Sequence, residues 1–180
     1  MNILLLGYRG SGKTTLGKGI AQRTWKDFVD LDQRVTEKFD QRSIADIWQH
    51  DGEPAFRAAE LQTLAELLQH DNQVLALGGG TVMQPAAADL VAQLTDARRI
   101  YLHCPPHVLA QRIAQDPATA ANRPSLLQDT GLTSHAADLD EITAVLAHRE
   151  PVYRRLADVV FDVSHVDPPT AIDHLVRHHL

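Results

Sequence analysis

Short apolar runs alternate along this chain with longer segments of mixed polarity. Several runs are apolar at nearly every position, which is typical of strands buried on both faces of a parallel sheet. The segments between them are long enough to form helices, and this alternation predicts an α/β fold with a parallel sheet. The predicted strands are Asn2–Leu6, Asp27–Leu31, Gln73–Leu77, Arg98–His103 and Val159–Val163.

Capping and proline signals indicate where the helices begin. A helix-prone run follows the first strand, and later starts carry a capping pair or a proline suited to a first helical turn. These starts are Ser43 with Asp46, Pro54 in a helix running to about Gln69, Pro105-Pro106 and Pro168-Pro169. No repeat or linker divides the sequence, so we expect residues 1–180 to form a single domain.

One stretch, residues 115–136, departs from this alternation. It is polar, has little periodicity and contains Pro117, Pro124 and Gly131. Loops of this length inside a compact domain are usually functional lids or disordered. Arg123 lies within it, and an arginine on a mobile lid can close over a triphosphate and help to exclude water. We therefore predict a mobile lid.

Composition and charge exclude some classes of protein. The formal net charge of −6 argues against a general nucleic-acid binder, so any anion site must be built locally from a few arginines. No apolar run approaches the roughly 20 residues of a membrane span. The sequence opens on a predicted core strand instead of a signal peptide, and its single cysteine, Cys104, cannot form an intramolecular disulfide. We expect a cytoplasmic protein that binds neither nucleic acid nor membrane.

The most specific chemical signal follows the first strand. Residues Gly7–Thr14 read G-x-x-x-x-G-K-T, the phosphate-binding loop of nucleoside-triphosphate enzymes, in the strand–loop–helix context that this motif requires. The glycines let successive N–H groups turn inward, and the positive end of the next helix faces the same anion. Lys13 is predicted to reach the β- and γ-phosphates of the nucleotide, and the Thr14 hydroxyl to bind Mg²⁺.

Two further strand ends indicate an acceptor pocket, which a small kinase needs in line with the γ-phosphate. Strand alternation would place Asp30 and Asp32 on the same side, although they lie where the strand gives way to a helix. One carboxylate would then lie near Mg²⁺ and the other would accept a hydroxyl proton. The structural alternative is that both cap the next helix. Gly78–Gly80 would let backbone N–H groups approach a ligand closely, although a tight turn is the alternative.

Two arginines fit a substrate that carries a carboxylate. Arg57 and Glu60 lie one helical turn apart, so Glu60 can orient the guanidinium, and Arg149 lies near the end of a long predicted helix. The planar fork of arginine matches a carboxylate with two hydrogen bonds, although each arginine could also be a surface residue. We expect Trp25 and Trp48 to be packing residues.

Taken in order, these motifs resemble those of the shikimate kinase family, from the first strand to about Asp162. They are Gly7–Thr14, Asp30-Leu31-Asp32, Ser43-Ile44 with Gly52-Glu53, Phe56-Arg57 with Glu60, Gly78–Gly80, Arg123-Pro124, and Arg149-Glu150-Pro151 with Tyr153. The resemblance implies a three-layer α/β/α P-loop fold with strand order 2-3-1-4-5. It also implies a monomer that transfers the γ-phosphoryl group of ATP to the 3-hydroxyl of shikimate, a step towards chorismate and the aromatic amino acids.

The resemblance further implies residue roles. The nucleotide site would comprise Gly10, Ser11, Gly12, Lys13, Thr14, Thr15, Arg112 and Arg123. The shikimate site would comprise Asp32, Arg57, Gly79, Gly80 and Arg149. Thr14 would bind Mg²⁺ directly and Asp30 through water. Asp32 would accept the proton, and Lys13 and Arg123 would complete the catalytic set.

Two other functions stay open. Another small P-loop kinase, acting on a sugar acid or a nucleoside monophosphate, would share the fold and the first motif. A silent regulatory module would keep the fold, but we would expect it to have lost Lys13, Asp32 or an acceptor-site arginine, and all of these are present. The lid sequence after Pro124 and the loop from Ser164 to Pro168 also depart from the family pattern.

Overall fold

The computed structural model describes residues 1–116 and 139–180, and its strands form one parallel sheet. The strands are β1 (Asn2–Leu6), β2 (Asp27–Asp30), β3 (Gln73–Ala76), β4 (Ala97–His103) and β5 (Val159–Asp162). Their order is β2-β3-β1-β4-β5, which confirms the predicted fold class and topology. In the register of the sheet, Leu4 is paired with Leu75 on one side and with Arg99 on the other. Every predicted strand is present, with bounds that differ by at most one residue at either end.

Helices connect consecutive strands, as parallel pairing requires. They are α1 (Lys13–Thr24), α2 (Leu31–Glu37), α3 (Ile44–His50), α4 (Glu53–Leu67), α5 (Pro85–Gln93), α6 (Pro106–Ala114), α7 (Leu139–Leu156) and α8 (Pro168–His179), with a 3₁₀ turn at Thr81–Met83. The predicted cap at the start of α3 is confirmed, since the Ser43 hydroxyl accepts a hydrogen bond from the Asp46 N–H at 3.1 Å. Helix α1 packs against α8, and α6 packs against α7. No helix in the described ranges is long and apolar enough to cross a membrane.

The position of each strand explains its sequence. Strands β1 and β3 are buried at every position, because they lie inside the sheet with both faces covered. Strands β2 and β5 form the edges, and both are partly exposed. The phosphate-binding loop follows β1, and the Gly78–Gly80 turn follows β3, so the two lie side by side at the carboxyl end of the sheet.

Three predictions about local structure need correction. Asp30 and Asp32 do not share one side of a strand, because β2 ends at Asp30 and α2 begins at Leu31. Trp25 does not pack: it is 89% exposed, because the chain turns through a left-handed conformation there as α1 ends. Helix α7 continues through Pro151, so Arg149 lies well inside the helix.

The predicted lid can be located only at its start. Gln115 is the cap that ends α6, and Asp116 follows it. The remainder of the predicted lid, with Arg123, lies outside the described residues.

Candidate active site

The Gly7–Thr14 loop joins β1 to α1 and forms one side of a cavity of about 450 Å³. Gly10 and Gly12 have φ angles of 78° and 92°, which side-chain-bearing residues rarely adopt. The Ser11 N–H donates to the Tyr8 carbonyl at 3.2 Å, closing the loop over the start of α1. The cavity therefore faces backbone N–H groups and the positive end of a helix, which suits a phosphate chain.

Lys13 lies in the first turn of α1 and its side chain folds back into the loop. Its ammonium donates to the carbonyls of Gly7 and Tyr8 at 2.8 and 2.9 Å. Lys13 also lines the cavity, together with Thr14 and Thr15. The predicted phosphate-binding residues are thus brought together at one end of the cavity.

Asp30 caps the next helix, as the structural alternative predicted, and its carboxylate also contacts Thr14. One carboxylate oxygen caps α2 by accepting from the Gln33 N–H at 3.4 Å, and the other accepts from the Thr14 hydroxyl at 2.9 Å. A hydroxyl and a carboxylate are hard oxygen ligands of the kind that Mg²⁺ binds beside substrate phosphates. Thr14 and Asp30 meet at the wall of the phosphate cavity, so the residues present fit this ion.

A second cavity adjoins the first and is lined by the predicted acceptor residues. Arg57, Arg149, Trp48, Phe56 and the glycines of the Gly78–Gly80 turn surround it. Asp32, in the first turn of α2, lines both cavities and is 9% exposed. A carboxylate is therefore placed where a phosphate chain and an acceptor would meet.

Glu60 anchors Arg57, as the helical spacing predicts. Glu60 is fully buried, and its carboxylate accepts from Arg57 Nη1 at 2.8 Å, Thr81 Oγ1 at 2.5 Å and Gln84 Nε2 at 2.9 Å. Burial raises the pKa of Glu60, and Arg57 and Thr81 oppose this change. Arg57 Nε donates to Glu53 at 3.1 Å, so two carboxylates fix the guanidinium plane at the cavity wall.

Charged side chains crowd the backbone of the Gly78–Gly80 turn, most closely at Gly78 and Gly80. A Cβ at Gly78 would overlap Asp32 Oδ1 and lie 2.8 Å from Glu60 Oε1, and one at Gly80 would lie 2.8 Å from Arg57 Nη2. At Gly79 the nearest side-chain atom is Arg149 Nη1, 3.5 Å from the Cβ position. The turn thus brings Asp32, Arg57 and Arg149 around one short segment of backbone.

Two buried tyrosines position Arg149. Its guanidinium carbon lies 5.8 Å from the ring centroid of Tyr8, a residue of the phosphate-binding loop. One turn further along α7, the hydroxyl of Tyr153 donates to the Gly79 carbonyl. Burial raises the pKa of Tyr153 to about 12, although the positive charge of Arg149 opposes the shift. Both tyrosines are thus neutral supports for the arginine near neutral pH.

The far end of the phosphate cavity is more apolar. Arg112 Nη2 donates to the Val163 carbonyl at 2.6 Å, and Val166, Pro168 and Ala171 complete this end. Arg112, whose position carried no strong motif, therefore lies where a base could stack between α6 and α8.

The sequence interpretation overlooked Arg9, a variable position of the loop motif. Arg9 lines both the phosphate cavity and the acceptor cavity. The signal that could have found it is its place within the loop motif itself.

Comparison with known proteins identifies the family of this chain. The shikimate kinase (SKI) family profile matches residues 9–179. Shikimate kinase of Rhodopirellula baltica is 39% identical over 164 residues, 91% of this chain and 82% of that protein. The Stenotrophomonas maltophilia enzyme is 38% identical over 178 residues, 97% of this chain and 89% of that protein.

A solved structure leads to the same family. Shikimate kinase from Acinetobacter baumannii, determined in complex with shikimate, superimposes with a TM-score of 0.84 at 28% identity. The superposition covers 97% of this chain and 90% of that one. On its fold, its paired cavities and these relatives, this chain belongs to the shikimate kinase family.

Proposed function

We propose that this chain transfers the γ-phosphoryl group of ATP to the 3-hydroxyl of shikimate, giving shikimate 3-phosphate and ADP. The observation that carries the proposal is the meeting of two cavities at Asp32, one built for phosphates and one lined by arginines. Its family membership supports shikimate as the acceptor, as does the relative from Acinetobacter baumannii solved with shikimate. We also propose that the protein is a cytoplasmic monomer.

In the nucleotide half, backbone amides from Gly10 to Thr15 would surround the phosphates, and Lys13 would exchange its loop carbonyls for phosphate oxygens. Thr14 would hold Mg²⁺ directly and Asp30 would hold it through water. When bound, Mg²⁺ supplies charge neutralisation for the β- and γ-phosphates. We assign Arg112 to the adenine, and Arg123, outside the described residues, to the closed lid.

In the acceptor half, Arg57 and Arg149 would bind the shikimate carboxylate. Both side chains line the acceptor cavity, Arg149 beside Gly79 and Arg57 beside Gly80, and Arg57 is held in place by Glu60 and Glu53. Fixed donors bind a carboxylate better than mobile ones, because less freedom is lost on binding. The backbone of Gly79 and Gly80 would contact the ring, leaving the 3-hydroxyl near Asp32.

The reaction would be an in-line displacement at the γ-phosphorus. A bond forms from the shikimate 3-oxygen to phosphorus, and the bond to the β–γ bridging oxygen breaks with its electron pair leaving on ADP. The hydroxyl proton passes to the Asp32 carboxylate. Since the transition state is loose, the proton leaves late, and positioning matters as much as basicity.

The direct test is a coupled assay of ADP release with ATP and Mg²⁺. Shikimate is compared with gluconate, AMP and no acceptor. ADP release that depends on shikimate would support the proposal. Release with gluconate or AMP alone would indicate another small P-loop kinase, and no release from protein that binds ATP would indicate a silent module.

The role of Asp32 predicts a specific defect in the Asp32→Asn variant. We expect kcat to fall by roughly 10²–10⁴-fold, because the proton acceptor is lost, while the Kd for ADP stays within about threefold. Asp89→Asn, an exposed carboxylate on α5, is the matched control. Turnover of Asp32→Asn within a few-fold of wild type would refute the role.

A further inference from the structure

Arg9 lies where the two cavities join. It lines the phosphate cavity with Lys13 and Thr14, and the acceptor cavity with Arg57 and Arg149. Its backbone N is 3.5 Å from the Cβ position of Gly79, so the loop and the glycine turn are in contact at this residue. The proposed binding of phosphates, Mg²⁺ and the shikimate carboxylate, and the proposed proton transfer, do not involve Arg9.

Among the described residues, the ring of Tyr8 flanks the guanidinium of Arg9. Its carbon lies 6.0 Å from the ring centroid of Tyr8, which Arg149 flanks as well, at 5.8 Å. Its Nε is buried and has no hydrogen-bond partner among the described residues. In contrast to Arg57, Arg9 forms no ion pair with a carboxylate of the described chain. A permanent positive charge, with at least its Nε donor unused by the described residues, therefore lies at the junction of the cavities.

We propose that Arg9 is a catalytic residue that contacts the phosphoryl group during its transfer from ATP to shikimate and then binds the phosphate of the product. This inference rests on the proposed function. As the bond to ADP breaks and the bond to the 3-oxygen forms, three equatorial oxygens keep their negative charge. Lys13 and the loop amides contact these oxygens from the nucleotide side. Arg9 donates two parallel hydrogen bonds to them from the acceptor side.

Two other roles for Arg9 predict different measurements. If Arg9 were a third ligand for the shikimate carboxylate, its substitution would weaken the binding of shikimate and of shikimate 3-phosphate equally, since both carry that group. If Arg9 were purely structural, packing beside Tyr8, its substitution would lower the unfolding temperature and weaken the binding of all ligands. Only a contact with the phosphoryl group predicts a larger loss of affinity for shikimate 3-phosphate than for shikimate, because the two ligands differ by the phosphate alone.

The experiment compares Arg9→Met and Arg9→Lys with wild type. Calorimetry gives Kd values for shikimate, shikimate 3-phosphate and ADP, and steady-state assays give kcat. For Arg9→Met we expect shikimate 3-phosphate binding to weaken by about 10-fold or more, with shikimate and ADP changed by less than about threefold. We expect kcat to fall by about 10²-fold, and Arg9→Lys to recover part of both losses because it restores the charge. Arg155→Met removes an exposed arginine outside both cavities and should behave as wild type.

Other outcomes overturn the proposal. Equal weakening of shikimate and shikimate 3-phosphate, or an unchanged kcat, would contradict a phosphoryl contact while leaving the proposed function intact. Wild-type protein that binds neither acceptor ligand would overturn both proposals. If Arg9→Met does not fold, the comparison of Arg9→Lys with wild type tests the proposal instead. Lysine keeps the positive charge but cannot form the bidentate pair of hydrogen bonds.

Discussion

At the scale of single residues, the acceptor site depends on one missing side chain. Gly78 is buried between two carboxylates, and a Cβ there would overlap Asp32 Oδ1 and lie 2.8 Å from Glu60 Oε1. Its φ angle is not in the left-handed region, so crowding rather than backbone strain requires glycine. The proton acceptor and the anchor of Arg57 therefore keep their positions because position 78 has no side chain.

We predict that Gly78→Ala disables catalysis without disturbing nucleotide binding. The added methyl group must displace Asp32, and a misplaced acid–base group loses most of its typical 10²–10⁴-fold contribution, so kcat should fall by about 10²-fold. The Kd for ADP should stay within about threefold, since the phosphate-binding loop is untouched. Kinetics and calorimetry on one preparation test this. A kcat close to wild type would show that Asp32 can shift at little cost.

The residue scale also shows what local sequence can and cannot predict. Helical spacing predicted that Glu60 would orient Arg57, and the structure confirms it. The other donors to Glu60, from Thr81 and Gln84, come from 21 and 24 residues further along the chain, so no local pattern could indicate them. Arg9 was overlooked because the loop motif leaves its position variable.

At the scale of elements, α7 positions the acceptor site through Tyr153. This residue is buried, its ring centroid lies 5.1 Å from that of Tyr101 in β4, and its hydroxyl donates to the Gly79 carbonyl. Arg149 precedes it by four residues and so lies on the same face of the helix. One side chain thus fixes the distance between α7, the sheet and the glycine turn.

We predict that Tyr153→Phe weakens both stability and shikimate binding. The buried Gly79 carbonyl would lose its donor, at a cost of about 1–3 kcal/mol in the free energy of unfolding. The shikimate KM should rise by about 3–10-fold as α7 and Arg149 loosen, with the ATP KM unchanged. Urea unfolding and kinetics measure the two effects. The control is Tyr101→Phe, whose hydroxyl makes a longer, 3.4 Å contact with His103 Nδ1. Equal effects in both variants would contradict the role of Tyr153.

Elements were predicted well from sequence where the pattern was continuous and poorly at junctions. Buried strands such as Asn2–Leu6 are recognisable in the sequence because nearly every position is apolar. Alternation failed at Asp30-Leu31-Asp32, because the strand becomes a helix within this segment and the period changes from two residues to 3.6. Trp25 was misjudged for a similar reason, since a left-handed turn at the end of α1 directs it to solvent.

At the scale of the whole molecule, Arg99 joins three elements away from the site. It lies near the amino end of β4, and its backbone N–H and guanidinium donate to Asp158, just before the edge strand β5, at 2.8–3.1 Å. Its Nη1 also donates to the carbonyls of Val91 and Ala92 at the end of α5. Burial alone would raise the pKa of Asp158, but the hydrogen bonds and charge of Arg99 outweigh it and hold the pKa below its usual value of 3.8.

This depressed pKa predicts a pH-dependent stability. A carboxylate whose pKa is lower in the folded state stabilises the fold above its unfolded pKa, and the stabilisation disappears as pH falls through the folded pKa. Since the Arg99–Asp158 pair is partly exposed, solvent screening limits its contribution to stability. Asp158→Asn should therefore lower the free energy of unfolding by about 0.5–1 kcal/mol at pH ~7. The difference from wild type should shrink as the pH falls below the ordinary carboxyl value.

Urea unfolding of wild type and Asp158→Asn across the acid range measures this difference directly. We expect kcat to stay within about twofold, because the pair lies near the amino end of β4 and the site lies at the carboxyl ends of the strands. Asp173→Asn is the matched control: Arg23 lowers the pKa of Asp173 as well, but that pair is more exposed and should matter less. A difference between wild type and Asp158→Asn that persisted unchanged at low pH would mean that Asp158 acts through shape rather than charge. In that case asparagine fails because its amide cannot accept both guanidinium donors, and the edge strand is held by hydrogen-bond geometry alone.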